Sequence, residues 1–230
     1  MTVVFKTNSC TIEKKNNTYK FSCEDGEKYS NFFDKIKKKL PIVGEKHNTF
    51  TVKDIKVETL KNLIKRKGDL SYRHLKWLFT NLVKQFEGLE EDGYCNLFFN
   101  IEDIVRVEID TFTQKGGSGS DIYFLYLNTT NFLPIKDDHV RIITPFEKKN
   151  NFFSPEMKKI KAIPSSIHIN SQTYSLALLT CFCMRPEEKI KKTTLEYFEI
   201  YLASIANTRL YMALLRCLQN KPKDRVQLYI

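Results

Sequence analysis

The sequence predicts an α+β fold, and three observations carry that expectation. Short β-prone pieces crowd the first quarter of the chain. Apolar residues recur at helical spacing from about Tyr72 to Glu91. A nearly all-apolar run over residues 173–184 reads as a buried helix. The 230 residues are 42% hydrophobic and 28% charged, with 8 Gly and 7 Pro. That composition excludes a disordered tail and a collagen-like or low-complexity chain. A chain of this length makes one large domain or two small ones and can bury a real core.

Residues 3–7, 11–14 and 18–23 are β-prone, and Asn16-Asn17 supplies a hairpin turn between the second and third. Residues 29–40 read as a helix with Phe32, Phe33, Ile36 and Leu40 on one face, ended by Pro41. Residues 50–55 read as a strand. From Val57 the pattern turns helical, with Val57, Leu60, Leu63 and Ile64 on one stripe until Gly68-Asp69 breaks it. The next helix buries Leu75, Leu78, Phe79, Leu82, Val83, Phe86 and Leu89, and Gly93 closes it. Residues 104–109 and 122–127 are rich in β-branched and aromatic side chains and form a β-hairpin at about 104–127. The Gly-rich stretch 115–121 lies between them. A phosphate cradle needs a helix after the glycines, but a strand follows, so the stretch reads as a hairpin tip. The last 80 residues read as largely helical, with amphipathic stretches at 195–205 and 210–218 stopped by Asn220 and Pro222.

No run approaches the roughly 18 apolar residues of a membrane span, and the N-terminus lacks a signal-peptide layout. The expected setting is therefore intracellular, cytoplasmic or nuclear, without a membrane partner. Six scattered cysteines fit buried free thiols better than disulfides or a zinc site. The sequons at Asn16 and Asn128 carry little meaning in that setting. The formal net charge is +10, with basic clusters at 35–39, 61–67, 158–161 and 189–192. These are separate, Lys-rich and not interleaved with aromatics, so a solvated surface is favoured over a nucleic-acid face.

Two motifs carry a resemblance. One is Phe153-Ser154-Pro155-Glu156-Met157, followed about 17 residues later by Ser171-Gln172-Thr173-Tyr174-Ser175-Leu176. The other is Cys217-Leu218-Gln219-Asn220-Lys221-Pro222-Lys223-Asp224-Arg225. The first resembles the Ala-Pro-Glu motif of protein kinases and the start of their buried central helix. The second is similar to the kinase segment whose Arg pairs with that Glu. The resemblance implies a two-lobed protein-kinase-like fold, with a short β-rich N-lobe at 1–56 and a helical C-lobe at 57–230 that includes the hairpin. It also implies a buried ion pair between Glu156 and Arg225, where a guanidinium fork meets a carboxylate.

The reaction residues of that family are missing. Aligned on the strand that starts at Ile104, the His-Arg-Asp slots hold Asn96, Leu97 and Phe98, and Phe98 cannot take a proton. Asp103 fills the metal-binding Asn slot and Asn128 the Asp slot of Asp-Phe-Gly, as an exchanged pair that would hold magnesium weakly at best. Lys20 is the one lysine near the nucleotide-binding strand slot, and the helix 29–40 offers Asp34 but no Glu to pair with it. No Gly-rich nucleotide loop precedes that helix. Gln172 replaces the central-helix Asp that braces the catalytic loop, which implies a loop no longer held.

The expected function is therefore a catalytically inactive kinase-like protein, a pseudokinase, with no catalytic residues and no resident cofactor or metal. It would act by binding another protein, such as a kinase or a kinase substrate, as a decoy or regulator. The Lys, Asn and Ile richness is similar to kinase-like proteins of large DNA viruses. The first alternative is a divergent active kinase transferring phosphate from Mg-ATP to Ser or Thr, with Asp92, Glu102 or Asp103 as base. The second is a basic nucleic-acid-binding module, whose binding would fall steeply with salt.

Overall fold

The computed structural model describes residues 1–110, 120–147, 151–188 and 190–227. Residues 115–119 of the Gly-rich stretch, and Lys189 of the last basic cluster, lie outside them. Among the described residues the chain is mixed α+β, with seven α-helices and three antiparallel sheets. It divides into two compact units. Met1–Arg66, Lys84–Asp92 and Asn100–Thr130 form the first, and Lys67–Val83, Gly93–Phe99 and Asn131–Ile230 form the second.

The first unit opens with three strands, β1 (Thr2–Lys6), β2 (Cys10–Lys15) and β3 (Thr18–Cys23). Helix α1 (Ser30–Lys37) follows, then β4 (Ile42–Lys46) and β5 (Thr49–Lys53). The strands form one sheet in the order β1-β2-β3-β5-β4. Asn16 turns the β2–β3 hairpin at φ 54°, a left-handed conformation that Asn tolerates. Alternation in β3 buries Tyr19, Phe21 and Cys23 and leaves Thr18, Lys20 and Ser22 half-exposed. Phe21 stacks on Phe50 at 4.7 Å.

No side chain of its own caps α1. The Asp92 carboxylate, 60 residues away, accepts from Phe32 N at 3.1 Å and Asn31 Nδ2 at 2.7 Å. It satisfies donors that a helix start leaves orphaned and suits the positive end of the helix dipole. The last turns of α3 (Tyr72–Glu91) press against α1 at Gly88. A Cβ on Gly88 would lie 2.7 Å from Asn31 O. Phe86 of α3 meets Phe32 at 6.0 Å and Tyr126 at 5.3 Å.

A second sheet of this unit has the order β6-β8-β9, from β6 (Ile55–Thr59), β8 (Ile104–Asp110) and β9 (Ser120–Tyr126). Val57, expected to open a helix, lies instead in β6 opposite Val107. The strand runs straight into α2 (Leu60–Lys67). Val57 therefore matches the helical stripe of Leu60, Leu63 and Ile64 by position alone, while its partners are those of a strand.

The second unit holds β7 (Tyr94–Asn96), β10 (Phe132–Lys136), β11 (His139–Ile142) and β12 (Ser165–His168), in the order β12-β11-β10-β7. Its helices are α4 (Pro155–Lys159), α5 (Asn170–Met184), α6 (Leu195–Tyr201) and α7 (Arg209–Cys217), besides the first turns of α3. Ser154, Thr194 and Thr208 cap α4, α6 and α7, each accepting from the amide three residues on. Helix α5 is buried on nearly every side. One core cluster gathers Cys95, Leu97, Val140, Ile142, Phe153, Met157, Ile160 and Ile167. All six cysteines are buried, and none is in a disulfide. Among the described residues no helix is long and apolar enough to cross a membrane, and no group of three or more His, Cys, Asp or Glu is placed to hold a metal ion.

Candidate functional site

In the first unit, Asp103 and Asn128 come together. Asn100 caps a short 3-10 turn over Ile101–Asp103 by accepting from Glu102 N. Leu127 N donates to Asp103 O at 2.9 Å and fixes the end of β9 beside that turn. Gln85 brackets the neighbouring residue, accepting from Tyr126 N at 2.9 Å and donating to Tyr126 O at 2.7 Å. The Asn128 Nδ2 amide then donates to Asp103 Oδ1 at 3.0 Å, and Tyr126 Oη reaches Oδ2 at 3.5 Å.

The other end of Asn128 is also fully engaged. Its Oδ1 accepts from Ser9 Oγ at 3.3 Å, Thr130 N at 3.1 Å and Thr130 Oγ1 at 2.6 Å. Ser9 Oγ in turn accepts from Thr129 N at 2.7 Å, and Thr129 Oγ1 donates to Asp25 at 2.6 Å. Three donors on the oxygen fix which way the amide points. It presents N–H to Asp103, so a cation beside Asp103 would meet an amide proton instead of a lone pair. These donors do not fit magnesium.

Burial pushes the Asp103 carboxyl up to about 6, and the Glu102 charge adds to this against the hydrogen bonds from Asn128 and Tyr126. Lys20 projects from the half-exposed face of β3, opposite Glu13 on β2 and Thr51 on β5. Among the described residues no hydrogen bond or ion pair joins Lys20 to Asp103, Asn128 or Asp34.

In the second unit, Asn96, Leu97 and Phe98 follow one another off β7 into the core. Asn96 and Leu97 are fully buried. Phe98 is part of an edge-to-face aromatic triad, 5.5 Å from Phe146 and 5.7 Å from Phe153. This segment is not released, contrary to the expectation built on Gln172. The Gln172 Oε1 oxygen accepts from Asn96 N at 2.7 Å, and Asn96 Oδ1 accepts from Phe98 N at 3.0 Å. A neutral amide oxygen accepts a backbone N–H as a carboxylate does, with less strength. The Gln172 amide oxygen thus holds the segment that leaves β7.

Glu156 and Arg225 also meet. Glu156 lies in the first turn of α4, and Arg225 follows the 3-10 turn Pro222–Asp224. Arg225 Nη2 donates to Glu156 Oε2 at 2.9 Å and Nη1 donates to Oε1. Arg225 is only 4% exposed. Its other N–H groups donate to Gln219 O at 2.7 Å, Asn220 O at 3.0 Å and Asn170 O at 3.2 Å, and its plane lies over the Tyr174 ring at 4.6 Å. Ser171 Oγ donates to Glu156 Oε1. Burial acts to raise the Glu156 carboxyl, but the bonds from Arg225 and Ser171 and the guanidinium charge outweigh it and hold the group below its usual range.

Three consecutive residues in the first turn of α5 thus serve three distant segments. Asn170 holds the Pro222–Arg225 stretch through its carbonyl and its Nδ2, which reaches Pro222 O at 3.0 Å. Ser171 holds α4, and Gln172 holds the segment after β7. Sequence reasoning missed Asn170, Ser9, Thr129 and Gln85. The one available signal was polarity at buried positions, since Ser171, Gln172, Ser9 and Gln85 are all buried and such groups take partners. No family model matches the chain, and a search of curated proteins finds no match.

Proposed function

We propose that this chain is a degenerate protein-kinase-like protein that does not transfer phosphate and acts by binding another protein. The observation that carries the reading is Phe98. The side chain in the slot of the catalytic base is a phenyl ring packed against Phe146 and Phe153, with no atom that takes a proton. Two further features support it. The Glu156–Arg225 pair and the Gln172 brace correspond to scaffold interactions of that family. The exchanged Asp103 and Asn128 satisfy each other instead of facing a metal.

Mg-ATP titration with thermal unfolding tests this reading. A ligand that binds only the folded state raises its stability by mass action, so no shift at about 5 mM nucleotide is expected. Radiolabelled transfer to the chain itself or to a generic acceptor is expected to be absent. The Asp103 carboxyl, poised near 6, is the one feature that favours an active divergent enzyme. Transfer that disappears in Asp103→Ala would establish that alternative.

A further inference from the structure

One face of the β10–β11–β12 part of the four-stranded sheet carries a cleft of about 480 Å³, lined in part by Lys136, Asp137, His139, Arg141, Ser165 and Ser166. Strand register explains why Lys136, His139, Arg141 and Ser166 gather. Val140 and Ile142 point into the core, so His139 and Arg141 face solvent. Lys136 lies opposite His139, and Arg141 lies opposite Ser166. Lys136 and Arg141 are then diagonal neighbours on one face, with Cα atoms roughly 7–8 Å apart.

The cations here are unspent. Arg66, Arg106, Arg185 and Arg225 each meet a carboxylate. Among the described residues, neither Lys136 nor Arg141 has a carboxylate within 4.0 Å, Asp137 included. His139 Nδ1 donates to Asp137 O at 2.7 Å, which leaves Nε2 as the free ring nitrogen. Ser165 Oγ donates to Ala162 O at 2.5 Å. Ser166, opposite Arg141, keeps its hydroxyl proton unassigned among the described residues.

The donor set is a guanidinium fork, an ammonium and a hydroxyl, borne on three adjacent strands. A carboxylate has two oxygens and would leave one of these donors unused. A phosphate monoester has three terminal oxygens and a charge near −2. We propose that this cleft binds a dianionic phosphate group, with Arg141 and Lys136 on its oxygens and Ser166 donating to the third. The inference does not rest on the kinase-like reading, because every residue it uses lies outside the slots that carry that reading. The phosphate group belongs either to a phosphorylated side chain, as a monoester, or to inorganic phosphate, and the two share the same contacts.

Calorimetric titration of the full chain at low ionic strength, where screening is weakest, tests the site. The probes are inorganic phosphate, a short phosphoserine peptide and its unphosphorylated form. Saturable phosphate binding is expected, and the double variant Lys136→Gln/Arg141→Gln weakens it by about tenfold or more. The control Lys65→Gln/Lys67→Gln removes equal charge from exposed positions elsewhere and leaves affinity within about twofold. Urea midpoints of both double variants confirm that each is folded. Tighter binding of the phosphopeptide assigns the source to a side chain, and equal binding assigns it to free phosphate. The proposal is overturned if phosphate fails to saturate below about 20 mM, if both double variants lose affinity equally, or if the unphosphorylated peptide binds as well.

Discussion

Arg225→Met is the sharpest perturbation of the second unit, because it keeps the aliphatic stem and removes only the charged fork. The five N–H groups of Arg225 serve five acceptors, two on Glu156 and one each on Gln219, Asn220 and Asn170. The substitution strands Glu156, whose side chain is 20% exposed, with Ser171 as its remaining side-chain donor. Breaking one side of a buried pair costs about 3–5 kcal/mol. For a chain of this size that lowers the melting temperature by roughly 6–20 °C. The chain has one Trp, Trp77, which belongs to the second unit. Urea unfolding followed by its fluorescence therefore reads the unit that contains the pair. The double variant Glu156→Met/Arg225→Met, which strands neither charge, is expected to lose less than Arg225→Met alone. A loss below about 1 kcal/mol for Arg225→Met, or a double variant worse than the single, would refute the reasoning. The pH dependence has a definite sign. The Glu156 carboxyl is held below its usual range, so its contribution is present above about pH 4.3 and is lost as pH falls through the lowered folded value.

Asp103→Asn is expected to stabilise the first unit. Its carboxyl, raised to about 6 by burial, contributes most below about pH 4 and loses that contribution as pH rises through about 6. Replacing it should raise stability by about 1–3 kcal/mol at pH 7.5 and much less at pH 4, read by urea titration with far-UV circular dichroism. A loss at pH 7.5 would mean that the network uses the charge. Gly88→Ala ordinarily favours a helix by about 1 kcal/mol. Here the added Cβ meets Asn31 O and Lys35 Cγ at 2.7 and 2.9 Å, so a net loss of about 1–3 kcal/mol is expected in the same titration. Burial pushes the Cys181 and Cys183 thiols well up and Cys217 up to about 12. An aromatic disulfide reagent should therefore find no fast-reacting thiol in the native chain, and all six cysteines once the chain is denatured.

Legibility in the sequence follows the length of each element. Helix α3 begins and ends where its stripe does, at Tyr72 and Glu91, because twenty residues give the period many chances to show. Helix α5 starts at Asn170, three residues before its apolar run. Asn170, Ser171 and Gln172 are polar, and only their partners explain why they sit inside. Strands β7, β10, β11 and β12 are three to five residues long, too short for alternation to stand out, and sequence reasoning misses them. The Glu156–Arg225 contact is legible through two motifs 69 residues apart. The Gln172–Asn96 contact is not, because no local pattern marks an amide oxygen that accepts a backbone N–H 76 residues away. The Asp103–Asn128 contact is foreseeable as a pairing of slots, but the direction of the amide depends on Ser9 and Thr130, which no local pattern announces.

The opening turn of α5 works as a three-way mooring. Its residues at 170, 171 and 172 tether the chain's last described stretch, a short helix and the segment leaving β7, each by a different side chain. A pull on any one of these lines loads the same opening turn. Only the Gln172 mooring carries no ionisable group, since Ser171 holds Glu156 and the Asn170 carbonyl accepts from Arg225. Acid would therefore slip the glutamate line first and leave the glutamine line fast.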